Sequence, residues 1–222
     1  MTTKGSRKAE STLLVAVLAA ALVVLFGLAV WLWLAGRPPG DASAEAGFAR
    51  DMMVHHAQAV EMAEIVRDRT ESEEIRTLAT DIALTQQAQI GQMQGWLAVW
   101  GLPATGTGPA MAWMGHPTEG RMPGMATPEE VNRLRTASPE QTDEMFLRLL
   151  IPHHQAAVPM AEAVLGRTGR PAVEELAGAI VASQRAEIQV MQGMLRDMGA
   201  PPAGNEEPAP MDGMDMEGNH DE

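Results

Sequence analysis

Six histidines and 17 methionines, with no cysteine, are the side chains of this 222-residue chain whose types and spacing could do chemistry. The lack of thiols excludes disulfides, iron–sulfur clusters, thiolate zinc sites and thiol catalysis. Imidazole and thioether remain, a soft donor set that suits copper, most naturally Cu(I), or silver as its mimic. Four of the histidines form two pairs, His55-His56 and His153-His154, and each pair is followed at the same spacing by a methionine, Met62 or Met160. On a helix the bearings of His55 and Met62 differ by only about 20°, and His153 and Met160 repeat the relation. These four are the central candidate ligands, with Met93 and Met191 close by on facing helices. His56 and His154 sit about 100° round from their neighbours, either as further ligands or as donors to helix carbonyls.

A peripheral set lies outside the helical stripes. Met111, Met114, His116, Met122 and Met125 fall in the patterns MAWMGH and RMPGM, and Met211, Met214, Met216 and His220 in the tail MDGMDMEGNH. A hydrated tail gains nothing from methionine as core filler. Its M-x-x-M and M-x-M spacings read instead as a capture device for Cu(I) or Ag(I), and the acids between them could hold Cu(II) together with imidazole.

The elements that must position these residues follow from a duplication. Residues 48–97 align without a gap on 146–195, with 22 identities in 50 positions. Phe48, Met52, His55, Ala59, Met62 and Val66 form one helical stripe, matched by Phe146, Leu150, His153, Ala157, Met160 and Val164. A second helix in each copy carries Ile75, Leu78, Ile82, Gln89 and Met93, or Val173, Leu176, Ile180, Glu187 and Met191. Thr70 with Glu73 has capping-box spacing, Pro171 suits a first helical position, and Ser138 caps a helix starting near 139. Pro152 and Pro159 predict a kink in that helix. The linker 101–137 is rich in Gly, Pro and Met and has a short helix after the Thr127-Pro128 cap. The fold class expected is all-α: a ferritin-like four-helix bundle over residues 44–200, made of two duplicated helical hairpins and preceded by one N-terminal transmembrane helix.

An inward face carrying histidines, Gln86, Gln89, Gln184 and Glu187 needs a reason, because an unpaired buried polar group costs a few kcal/mol, on the order of 1–3. Either these groups satisfy one another in a hydrogen-bond network or they hold a metal. Di-iron bundles require Glu-x-x-His and several carboxylates, and this chain has no Glu-x-x-His. Glu64 and Glu162 are expected in salt bridges, with Arg50 and Arg148 as candidate partners.

The remaining segments set the compartment. Residues 1–11 carry both lysines, Lys4 and Lys8. Residues 12–36 are an apolar run long enough for the roughly 30 Å hydrocarbon core, with Trp31 and Trp33 near its end. The positive-inside bias puts the N-terminus in the cytoplasm and the rest outside the cell membrane; a cleaved signal peptide is the alternative, with the same outcome for the rest. Residues 201–222 are acidic and expected to be disordered. A net charge of -13 argues against nucleic acid.

The segments MMVHHAQAVEMAE at 52–64 and LIPHHQAAVPMAE at 150–162 resemble the signature of the domain-of-unknown-function 305 family, whose CopM-like periplasmic members are ferritin-like four-helix bundles. The second copy is the closer match, from Pro152-His153-His154-Gln155 to Met160-Ala161. The first departs from the pattern at Val54 and Ala57-Gln58. The resemblance implies the fold, and copper binding or resistance for some members. The function expected is therefore an extracytoplasmic copper-binding protein for sequestration, resistance or delivery rather than an enzyme, since no Ser-His-Asp arrangement is visible, with metal ions and a copper-handling protein as partners. A non-metal structural or interaction module and a ferritin-like metal oxidase are the alternatives.

Overall fold

The computed structural model describes residues 16–30 and 36–203. Trp31, Trp33 and the tail candidates Met211, Met214, Met216 and His220 therefore lie outside the described residues, as does the expected disordered tail from residue 204 onward. The chain divides into two units, Met1–Pro39 and Gly40–Glu222.

In the first unit, residues 16–30 form helix α1. At about 1.5 Å per residue its described length is about 22 Å, short of the roughly 30 Å hydrocarbon core. Among the described residues, then, no helix is long and apolar enough to cross a membrane. The expected transmembrane span is longer than this helix at both ends, and its residues 12–15 and 31–35 lie outside the described residues.

The second unit contains α2 (Ala44–Arg69), α3 (Glu73–Val99), α4 (Pro128–Thr136), α5 (Pro139–Leu165) and α6 (Pro171–Asp197). Among the described residues there is no strand beyond a single bridge between Ala110 and Thr118. Helix ends follow local chemistry. Thr127 and Ser138 each close a capping box, with Glu130 and Gln141, and Pro139 and Pro171 occupy first-turn positions where no donor is lost. One cap differs from expectation: Ser72, not Thr70, caps α3 by accepting from the Ile75 amide at 3.3 Å. Thr70 ends α2 instead, and its hydroxyl accepts from the Ser72 amide at 3.0 Å. Helix α5 runs on through Pro152 and Pro159 as a single element.

Helix α2 packs along α3 and α5, and α5 along α6, while α3 and α6 approach each other less closely. The core between them has two apolar halves. One takes Met62 and Val66 from α2, Ile75, Leu78 and Ile82 from α3, Phe146 and Leu150 from α5, and Met191 and Leu195 from α6. The other takes Phe48 and Met52, Met93 and Leu97, Met160 and Val164, and Val173, Leu176 and Ile180. Adding 98 to each residue number of the first copy converts one set into the other. The duplication is thus a pseudo-two-fold in the core, each half built from the turn end of one hairpin and the open end of the other.

The linker between the hairpins is strapped across α2. Asp51 accepts from the Met111 amide at 2.7 Å and from the Trp113 indole at 2.8 Å. Gln58 both donates to the Ala126 carbonyl at 2.9 Å and accepts from its amide at 2.7 Å. Trp113 meets Phe48 edge-on at 6.1 Å. At Gly124, with φ of 74°, an added Cβ would lie 2.5 Å from the Pro152 carbonyl oxygen and 2.7 Å from the Ala156 Cβ. Backbone and side chain both oppose a larger residue there, so Gly124→Ala is expected to destabilise the fold by about 2–3 kcal/mol. Urea unfolding of the two chains measures it, and equal midpoints would contradict so close a contact.

Candidate metal centre

Between the two apolar halves lies a polar belt. His55 and His56 on α2 and His153 and His154 on α5 are fully buried, and Gln86 of α3 and Gln184 of α6 are nearly so. Gln89 of α3 is buried as well. The belt falls where the pseudo-two-fold requires each copy to meet its own counterpart: the His55 and His153 ring centroids are 3.8 Å apart, with planes inclined at 38°. His154 follows at 6.1 Å from His153.

The hydrogen bonds fix the tautomers. His55 Nε2 lies 3.2 Å from the Pro123 carbonyl and His153 Nε2 lies 3.0 Å from the His55 carbonyl. A carbonyl can only accept, so both Nε2 atoms carry the proton and both Nδ1 atoms carry the lone pair. His154 Nε2 lies 2.6 Å from Glu187 Oε2 and donates to it, since a carboxylate oxygen accepts. None of these three Nδ1 atoms has a protein hydrogen-bond partner. Neither ring nitrogen of His56 has one in bonding geometry, although the Gln89 side chain beside it favours its protonated form. Burial pushes His55 down to about 4 and His56 to about 3, and holds His153 well below the ordinary histidine value. These rings are neutral at pH 7.

The expected mutual satisfaction of His and Gln is not what the belt contains. Both ends of the Gln86 amide and the side-chain oxygens of Gln89 and Gln184 also lack partners. Buried polar groups are ordinarily hydrogen-bonded, so this concentration in one layer makes the belt the candidate site. Neutral imidazoles with Nε2–H held by an oxygen and Nδ1 free are the form in which histidine ligates a metal. Among the described residues, no three His, Asp or Glu side chains gather closely enough to hold an ion by themselves. The donor set present fits an ion content with few soft ligands.

The methionines are distributed differently from the helical bearings. Met62 and Met191 sit in one apolar half, Met160 and Met93 in the other. The reason is axial: His55 and Met62 share a bearing but lie two turns, about 10.5 Å, apart along the helix. The four buried methionines therefore flank the belt on both sides rather than joining the histidines in one cluster. Of the linker set, Met111 and Met122 are buried in the Phe48 half of the core and Met114 and Met125 pack against it, while His116 is exposed. Packing accounts for these four methionines.

The arginines pair locally: Arg50 with Asp41 at 2.5 Å and Arg148 with Glu144 at 2.7 Å. Glu162 meets Arg185 at 2.5 Å. The expected partnership of Arg50 and Arg148 with Glu64 and Glu162 is thus replaced by nearer acids. Residues that the helical pattern passed over are Asp51, Gln58 and Pro123, which hold the strap over His55. Their signal was present as departures between the copies, since Asp51 and Gln58 stand where the second copy has Leu149 and Ala156.

The family model described as "Domain of unknown function (DUF305)" matches residues 45–220. A DUF305 crystal structure from Streptomyces coelicolor is 47% identical, covers 74% of this chain and 99% of its own, and superposes with a TM-score of 0.71. A DUF305 fragment from Deinococcus radiodurans is 41% identical, with 69% and 96% covered and a TM-score of 0.59. CopM in its Cu(I)-bound form is 29% identical, with 70% and 97% covered and a TM-score of 0.53. Among curated proteins, protein L153 of Acanthamoeba polyphaga mimivirus is 38% identical over 53 residues, which span 24% of this chain and 35% of that protein.

Proposed function

The chain belongs to the DUF305 family, and we propose that within it this protein binds copper, as Cu(I), through the histidine belt, with Ag(I) as its mimic. The observation that carries the reading is the set of buried imidazoles, neutral at His55 and His153, whose Nδ1 atoms have no protein partner while their Nε2–H groups are held by Pro123, by the His55 carbonyl and, for His154, by Glu187. Such nitrogens bind a soft ion without releasing a proton. His55, His153 and His154 supply the first donors and His56 a further one. Met62, Met191, Met93 and Met160, in the apolar halves on either side of the belt, are the candidate thioether donors. CopM has been crystallised with Cu(I), Cu(II) and Ag, which supports the same ion class here.

The belt is sequestered from solvent, so retention or delivery of copper suits it better than turnover. The apolar run of residues 12–36 supports a place outside the cytoplasmic membrane, as an anchor or as a removed leader. There the tail methionines Met211, Met214 and Met216, with His220, would form an outer capture segment, and a copper-handling protein would be the partner in exchange.

Titration of the full chain with Ag(I) tests the belt directly when histidine ring nitrogens are followed by NMR. The Nδ1 resonances of His55 and His153 are expected to shift at one ion per bundle, and His153→Phe should weaken binding about a hundredfold, equivalent to nearly 3 kcal/mol. Ring resonances that do not respond to saturating Ag(I) would refute the reading.

A further inference from the structure

The belt is closed on one side by the strap, whose Pro123 carbonyl caps His55 and whose Gly124 lies against Pro152 and Ala156. On the opposite side, between α3 and α6, a groove of about 460 Å³ is lined by Glu74, Thr77, Leu78 and Asp81 of α3 and by Ala186, Glu187, Val190 and Met194 of α6. Glu187 joins this groove to the interior. It is 21% exposed, and its Oε2 holds the fully buried His154 at 2.6 Å. Behind it the His154 Nδ1 and the Gln184 side-chain oxygen are buried and without protein partners.

The duplication supplies an internal control. The positions related by 98 residues to Glu74, Asp81, Glu187 and Met194 are Ala172, Ala179, Gln89 and Trp96. One acid, Glu175, stands on the related surface, opposite Thr77. Of the two equivalent grooves that the pseudo-two-fold generates, only the α3–α6 groove described above combines three carboxylates with a thioether. Met194 is half-buried and packs against the same apolar half as Met191, one turn earlier on α6.

We propose that this α3–α6 groove is the entry port of the belt, where Glu74 and Asp81 draw in a soft monovalent cation, Met194 takes it as a transient thioether ligand, and Glu187 positions His154 to receive it. The inference rests on the belt being the binding site. The transfer is a ligand exchange in stages, because Met194 lies seven residues, about 10.5 Å, along α6 from Glu187: the metal–sulfur bond breaks as water and the groove carboxylates take the ion, and a metal–nitrogen bond to His154 Nδ1 forms at the belt. No electron moves, and the proton on His154 Nε2 stays hydrogen-bonded to Glu187. The ion then lies among His154, His153 and His55, whose rings follow one another across the belt.

The test is kinetic. The full chain, with Met211, Met214 and Met216 changed to Leu so that the tail does not compete, is mixed with a coloured Cu(I) chelate over a range of protein concentrations. Loss of colour gives the second-order rate, and the end point gives affinity. Met194→Leu, which keeps the packing, and the pair Glu74→Gln with Asp81→Asn are each expected to slow entry about tenfold, the scale on which a charged cleft raises association. The end-point affinity should move less than twofold, since a port changes entry and exit alike. Glu175→Gln, on the related surface, should leave the rate unchanged. Unaltered rates in both port variants, with copper still reaching the belt, would overturn the port and leave the belt standing. A parent chain that takes no Cu(I) into the belt would overturn both.

Discussion

Acidification from pH 7 to pH 4 is expected to unfold the metal-free bundle, although its surface is acidic and carries few close ion pairs to lose. The folded state keeps His55 and His56 neutral, with proton affinities lowered to about 4 and about 3 by burial, and His153 is lowered as well. In the unfolded chain each takes up a proton near the ordinary histidine value of 6.5. Between these values the unfolded state binds more protons, so stability falls as the pH falls. The contribution is whole above about 6.5 and is drawn down toward about 4. For His55 alone the difference amounts to about 3 kcal/mol, and His56 loses a similar amount by pH 4. Together these approach the total stability of a typical domain, about 5–15 kcal/mol. Asp51 and Asp143, raised by burial above 3.8, act in the opposite direction and only near the bottom of this range. Circular dichroism against pH measures the transition. Saturating Ag(I) should move it to lower pH, because an occupied Nδ1 cannot take a proton. A metal-free chain whose stability is flat from pH 7 to pH 4 would show that the imidazoles are not held neutral by the fold.

The duplication made much of this arrangement readable before any coordinates. Phe48 with Phe146, Met62 with Met160 and Met93 with Met191 are buried as equivalent pairs, and helices α5 and α6 begin at the expected Ser138 and Pro171 signals. The helical bearing also placed His55 and His153 inward, whereas His56 and His154, about 100° round, are buried as well. Axial position was lost, however, because a bearing says which face a residue shares and nothing about its layer. That is why Met62 was grouped with His55 and is found with Phe146 and Met191 instead. The strap was lost for a different reason. Its contacts join residues about 60 positions apart, as between Asp51 and Trp113 or Gln58 and Ala126, and no local periodicity encodes them. Where the two copies disagree, at Asp51, Gln58, Glu187 and Met194, the chain has been fitted to its strap or its groove. Identity between the copies marks the core and the belt; difference marks what lies on either side.

His56→Leu is expected to raise the stability of the metal-free chain while weakening its hold on copper. In the folded state both ring nitrogens of His56 are buried without protein partners in bonding geometry, and in the unfolded chain water satisfies them. Leucine has nearly the same bulk and no polar atom, so the substitution removes a desolvation penalty of about 1–3 kcal/mol and leaves little cavity. The same reasoning does not extend to His153, whose loss would also strip a donor from the His55 carbonyl. In saturating Ag(I) the variant's advantage should shrink. An ion at a thousand times its dissociation constant adds about 4 kcal/mol to the parent chain, and a tenfold weaker site in the variant gives up about 1.4 kcal/mol of that. The two chains should therefore draw together or cross in thermal unfolding as silver is added, with the variant ahead in its absence. A hydrogen-bonding role for His56 predicts the reverse, since breaking a satisfied network would destabilise the metal-free chain. Stability and ligand affinity moving in opposite directions at one buried residue is the behaviour of a polar layer maintained for an ion, and two copies of the same His pair in one core are hard to explain by packing alone.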